Sequence, residues 1–198
     1  MAATNVELSK NELELVVNSE FILTKNSIIK KVYDLFGALS ESYKTTLAEN
    51  KTWLPREIVD TSPKIYKGEN YLQLPYVMMD YPRIFFKGDV FAIRSFFWWG
   101  NYFSVTLQLA GKYFEHFKNT IHHNLKQQFN SDLFAGVNDD MWQHHFETSN
   151  YKPLNEADID ELLEKPFIKI ADKLSLNEWN KAPGFFEGAY GRLLALLM

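Results

Sequence analysis

The sequence predicts an α+β fold: a single domain in which helices pack on one face of an antiparallel β-meander of about four to six strands. Three features point there. Residues 89–111, DVFAIRSFFWWGNYFSVTLQLAG, form the densest run of strand-favouring residues in the chain. Before it, Ile29, Val32, Phe36, Leu39, Tyr43 and Leu47 recur at three- and four-residue steps. After it, Phe114, Phe117, Ile121, Leu125 and Phe129 do the same. The division that follows is N-terminal helices over about 10–49, a sheet over about 63–111 and a helical C-terminal part over about 112–198, all in one domain spanning 1–198.

Taken in order, Ser9-Lys10-Asn11-Glu12 reads as a capping box that opens a short first helix. Asn26 or Ser27 can cap the second helix, whose apolar stripe leaves Lys30, Lys31, Asp34, Ser40 and Lys44 outside it. Leu54-Pro55 and Ser62-Pro63 end the helical pattern. Ile65-Tyr66 and Tyr71-Leu72 then flank the turn-rich Lys67-Gly68-Glu69-Asn70, while 76–79 and 84–86 flank Asp80-Tyr81-Pro82. Pro75 and Pro82 lack an amide for the ladder and belong at strand ends, edges or bulges. Residues 141–148, MWQHHFET, fit an extra strand or a helical turn. Asn155 caps a short acidic helix through Glu164. Phe186, Ala189, Tyr190, Leu193 and Leu197 make a final helical stripe.

The 31 aromatic residues, 16 Phe, 10 Tyr and 5 Trp, are many for 198 positions and need burial, a ligand or a partner. A formal charge of −4 gives no general attraction to nucleic acid or an anionic membrane, although 63–112 holds six basic residues against three acidic ones. The absence of cysteine excludes disulfides and thiolate chemistry. Together with an N-terminus that lacks a basic segment followed by an apolar one, it directs the reading to a cytoplasmic protein. The charge-free run 95–111 has polar residues at strand spacing and is too short for a membrane helix, so no membrane partner is expected. No nucleophile elbow, phosphate loop or dinucleotide glycine pattern occurs, and no cofactor is expected.

The central run reads as a β-hairpin turned at Gly100-Asn101 by a two-residue primed turn, which would pair Trp99 with Tyr102, Phe96 with Val105 and Arg94 with Leu107. One face then carries Val90, Ala92, Arg94, Phe96, Trp98, Phe103, Val105, Leu107 and Leu109, apolar except for the arginine, and is expected to be core. The other joins Phe91, Ile93, Ser95, Phe97 and Trp99 to Tyr102, Ser104, Thr106 and Gln108, rings and neutral polar groups without a charge. Such a face suits a small-molecule pocket, a self-association surface, or a layer covered by the chain's own loops or a helix. The ligand or interface candidates are Arg94, Phe97, Trp99, Tyr102, Ser104, Thr106 and Gln108. An arginine among core residues must meet a carboxylate, with Asp80, Asp89 and Glu41 in view, reach an edge, or bind an anion. A one-residue bulge would move it to the other face.

The five histidines, His116, His122, His123, His144 and His145, lie close in sequence but without metal-ligand spacing, so no metal site is expected. The leading expectation is a noncatalytic binding or interaction domain that uses the aromatic sheet face for a small-molecule ligand or for a homodimer. The alternative is a small-molecule enzyme with Arg94 orienting an anionic substrate beside a histidine or carboxylate base, which an internal ion pair at Arg94 would remove. A weaker alternative stacks single-stranded nucleic acid on the sheet beside Lys64, Lys67, Arg83 and Lys87.

Overall fold

A computed structural model describes residues 6–127 and 132–198, so Phe129 of the expected stripe lies outside the described residues. Helix α1 (Lys10–Val16) opens with the capping box, in which Ser9 N–H donates to the Glu12 carboxylate at 2.7 Å and Glu12 N–H donates to Ser9 Oγ at 3.3 Å. Helix α2 (Ser19–Glu49) starts earlier than expected, capped by Asn18, because nothing between 19 and 26 opposes a helix and the Asn18 side chain accepts from Phe21 N–H. All six residues of its stripe are buried. The short α3 (Arg56–Val59) leads into the sheet.

Seven antiparallel strands form that sheet, in the spatial order β1-β2-β3-β4-β7-β5-β6. Four come from the expected meander: β1 (Lys64–Tyr71), β2 (Leu74–Phe86), β3 (Asp89–Trp98) and β4 (Tyr102–Ala110). Helix α4 (Lys112–Gln127), β5 (Phe134–Gly136), β6 (Tyr151–Pro153), α5 (Ile159–Leu163), β7 (Phe167–Ser175) and α6 (Ala182–Ala195) complete the chain. The strands beyond the meander fall in the stretch whose pattern reads as helical. Strand β7 pairs with β4 along its whole length, and its two-residue alternation buries Ile168 and Ile170 against the helices. Helices α2, α4 and α6 cover this inner face, where Phe36, Phe103 and Phe186 meet edge to face and Tyr43 stacks on Tyr190 with ring centroids 3.7 Å apart.

The β3–β4 register differs from the expected one by one residue. Trp98 pairs with Tyr102, Phe96 with Ser104 and Arg94 with Thr106, around a three-residue loop of Trp99, Gly100 and Asn101. Only Gly100 has a positive φ there, 73°, whereas the primed type I′ turn needs two such residues. A slip of one residue exchanges faces. Phe91, Ile93, Ser95 and Phe97 therefore share the inner face with Phe103, Val105, Leu107 and Leu109, while Arg94 shares the outer face with Tyr102, Ser104, Thr106 and Gln108. The hydrophobic effect favours this register, because it gathers Phe91, Ile93, Phe97, Phe103, Val105, Leu107 and Leu109 into one core and lifts the arginine out of it, while Phe96 and Trp98 form a smaller cluster on the outer face. A tight turn with both central residues at positive φ does occur, at Leu72 (46°) and Gln73 (68°) between β1 and β2.

Two further irregularities shape the outer face. Strand β2 carries one extra residue across Tyr81-Pro82, so that Asp80 pairs with Arg94 and Arg83 with Ala92, and both charged residues point outward. Residues 141–148 form neither strand nor helix. They belong to a loop, 137–150, closed at its neck by Val137 N–H donating to Asn150 O at 2.8 Å, which folds back over the outer face.

Candidate functional site

A cavity of about 440 Å³ opens on the outer face between β1, β2, β3 and the 137–150 loop. Alternation along β1 supplies Lys64 and Tyr66, and β2 supplies Tyr76, Met78 and Asp80 on the same side. The extra residue in β2 then brings Arg83 and Phe85 to this side as well. Tyr71, from the end of β1, packs edge to face on Phe96 and Trp98. Trp142 and His144 from the loop complete the wall, with the Trp142 ring centroid 5.9 Å from that of Phe85. Gly68 is needed here because its cross-strand partner Tyr76 lays its ring over it, and a methyl group would overlap that ring.

The floor is a closed polar network. Arg94 and Asp80 are 5% and 2% exposed and form a two-point ion pair, Nε to Oδ1 at 2.6 Å and Nη2 to Oδ2 at 3.0 Å. The remaining guanidinium nitrogen, Nη1, lies 3.2 Å from His144 Nε2. Arginine only donates, so Nε2 is the acceptor and the neutral imidazole carries its proton on Nδ1. Burial, followed by the charge of Arg94, holds the His144 pKa well below the usual 6.5. The Tyr66 hydroxyl, kept protonated by its burial, donates to Asp80 Oδ2 at 3.1 Å, with Met78 Sδ 2.7 Å away.

The loop is held down at several points. Tyr71 Oη accepts from the backbone N–H groups of His144 at 2.7 Å and His145 at 3.0 Å, and Tyr102 Oη donates to His144 O at 3.1 Å. Lys169 on β7 donates to Gln143 O and lies over the Tyr151 ring, 4.6 Å from its centroid. This lysine is 1% exposed. Its burial, followed by the charge of Arg94, lowers its pKa to about 7.

Of the seven residues singled out from the sequence, Arg94 lines the cavity. Tyr102 is half-buried under the loop with its ring 5.0 Å from Phe146, and Ser104, Thr106 and Gln108 are buried beside it on the outer face. Phe97 is buried on the inner face, and Trp99 sits half-buried at the hairpin turn against it. The cavity residues that sequence reasoning missed come chiefly from β1, β2 and the loop. For Asp80 and Arg83, which flank the proline that marks the bulge, the sequence held a signal, and both were named from it, Asp80 as a possible partner of Arg94 and Arg83 as a basic neighbour of the sheet. For Trp142 and His144 there was none, because only the tertiary fold brings 137–150 to this face.

The histidines are split between the two sides of the sheet. His122 on α4 pairs with Asp160 at 2.7 Å, and His116 packs its edge on Phe117, while His144 and His145 belong to the outer loop. Among the described residues no three of His, Cys, Asp or Glu come together as a metal would require, and no helix is long and apolar enough to cross a membrane. Compared with known proteins, the chain matches no family model, no curated protein and no solved structure.

Proposed function

We propose that the protein is a noncatalytic binding domain whose outer-face cavity takes a small planar ligand bearing an anionic group. One observation carries this reading: the polar groups of the floor satisfy one another. Both Asp80 oxygens are engaged by Arg94, Arg94 Nη1 occupies His144 Nε2, and the other imidazole nitrogen is already protonated. That leaves neither carboxylate nor imidazole placed to take a proton from a substrate, and the guanidinium is turned to Asp80 and His144. An enzyme in which Arg94 orients a substrate draws no support from this arrangement.

What remains for a ligand is a ring-lined wall of Tyr66, Tyr71, Tyr76, Phe85 and Trp142, with Lys64 and Arg83 as peripheral cations. A volume near 440 Å³ lies in the range of small-molecule sites, which pair apolar walls with a few polar groups that fix orientation. The half-buried Arg83 already donates from Nε to Ser62 O at 3.3 Å, which orients its guanidinium for a carboxylate or phosphate.

The test is a fluorescence titration with 1-naphthoate and its neutral amide, using Trp142→Phe to assign the signal. Saturable binding of naphthoate is expected, weakened about tenfold in Arg83→Gln by loss of one charge-assisted hydrogen bond, with the amide binding less tightly to wild type. Equal affinity of Arg83→Gln and wild type for naphthoate, or no binding at millimolar concentration, would overturn the proposal.

A further inference from the structure

The N-terminal arm carries apolar surface that the described residues leave open. Helix α1 has no buried residue, and the first turns of α2, up to Lys25, which pairs with Glu69 on β1, hold none either. Nine large apolar residues between 6 and 23 are 47–81% exposed, among them Leu13, Val16, Val17, Phe21, Ile22 and Leu23. Side chains of this size, open to that degree, expose on the order of 900 Å² per chain, beyond the few hundred Å² of an ordinary surface patch and close to the ~800 Å² each partner contributes to a stable interface.

Charge along the arm says what fits it. Residues 6–24 hold Glu7, Glu12, Glu14 and Glu20 against Lys10, a net −3, and of the three lysines that follow, Lys25 pairs with Glu69 and Lys30 with Asp34 in the same chain. Two copies of α2 laid antiparallel about a two-fold axis between Ile22 and Leu23 hold the two acidic ends apart, where a parallel pairing would set them side by side. Ile22 lies seven residues before Ile29, on the continuation of the buried stripe, so the second copy extends the core instead of starting a new one. An acidic arm is the wrong sign for an anionic bilayer, where basic residues would flank the apolar face.

We infer that the apolar N-terminal arm, α1 with the first turns of α2, is the contact through which two copies of this chain form an antiparallel, two-fold dimer. The site lies apart from the outer-face cavity and does not depend on what that cavity binds.

Light scattering on the full chain over about 5–200 µM tests it. The expected mass is twice the 23.2 kDa of one chain. Ile22→Glu/Leu23→Glu is expected to be a monomer with the far-ultraviolet circular dichroism of wild type, since both side chains are exposed. A monomeric wild type at the highest concentration, or a dimer that survives Ile22→Glu/Leu23→Glu, would overturn the inference. Flotation of a monomeric wild type with neutral phosphatidylcholine vesicles would assign the arm to a lipid surface instead.

Discussion

Lys169 shows how much chemistry one residue of a buried strand can bring. Its ammonium sits under the 137–150 loop on Gln143 O, and burial followed by the nearby Arg94 brings its pKa from the usual 10.5 to about 7. In the unfolded chain the group returns to its ordinary value. Between about pH 7 and 10.5 the unfolded state thus holds one more proton than the native state, and stability rises with pH across that window by up to ~1.4 kcal/mol per unit. Below pH 7 the lysine is protonated in both states and adds no slope. Urea midpoints from pH 6 to 10 are expected to climb in wild type and to flatten above pH 7 in Lys169→Met. A wild-type profile unchanged by the substitution would show that Lys169 keeps its charge throughout. Nothing local in the sequence signals this, because FIKIADKLS displays Lys169 as an ordinary polar residue between two isoleucines. Its burial is imposed by a loop from elsewhere in the chain.

At the scale of elements, the turns decided what could be read. The α2 stripe was legible because every residue of it answers to one period, and so was the Ser9 capping box, whose two partners are three residues apart. The β3–β4 register was not, since Gly100-Asn101 is compatible with a two-residue or a three-residue loop and only packing chooses between them. The choice fixes the site, because it puts Arg94 on the face where Asp80 waits. The tight turn at Leu72-Gln73 is the converse case, holding two residues without a local preference for the left-handed region. Its strain is expected to be removable. Leu72→Asn/Gln73→Gly supplies the residues this turn prefers and is expected to stabilise the protein by ~1 kcal/mol, a melting temperature about 2–4 °C higher. A lower melting temperature would mean that the exposed Leu72 contributes packing that outweighs the backbone gain.

Across the whole molecule, one sheet separates two kinds of surface. Its inner face is apolar core under α2, α4 and α6. Its outer face is a mixture in which the 137–150 loop covers β4 and β7 and leaves a ring-lined cavity over β1 to β3. The α+β class and the internal pairing of Arg94 with Asp80 were within reach of the sequence. The cavity was not, because its walls come from residues 64–94 and 142–144, segments that local periodicity cannot bring together. The proposed function rests on the floor of that cavity being closed on itself, and His144 reports it directly. The measurement is the side-chain nitrogen NMR spectrum of His144 from pH 7.5 to 5. A neutral ring protonated on Nδ1, with no titration near 6.5, is the expected result. A ring protonated on Nε2, or one that titrates at its ordinary value, would mean that Arg94 does not donate to it, and would return His144 to service as a catalytic base.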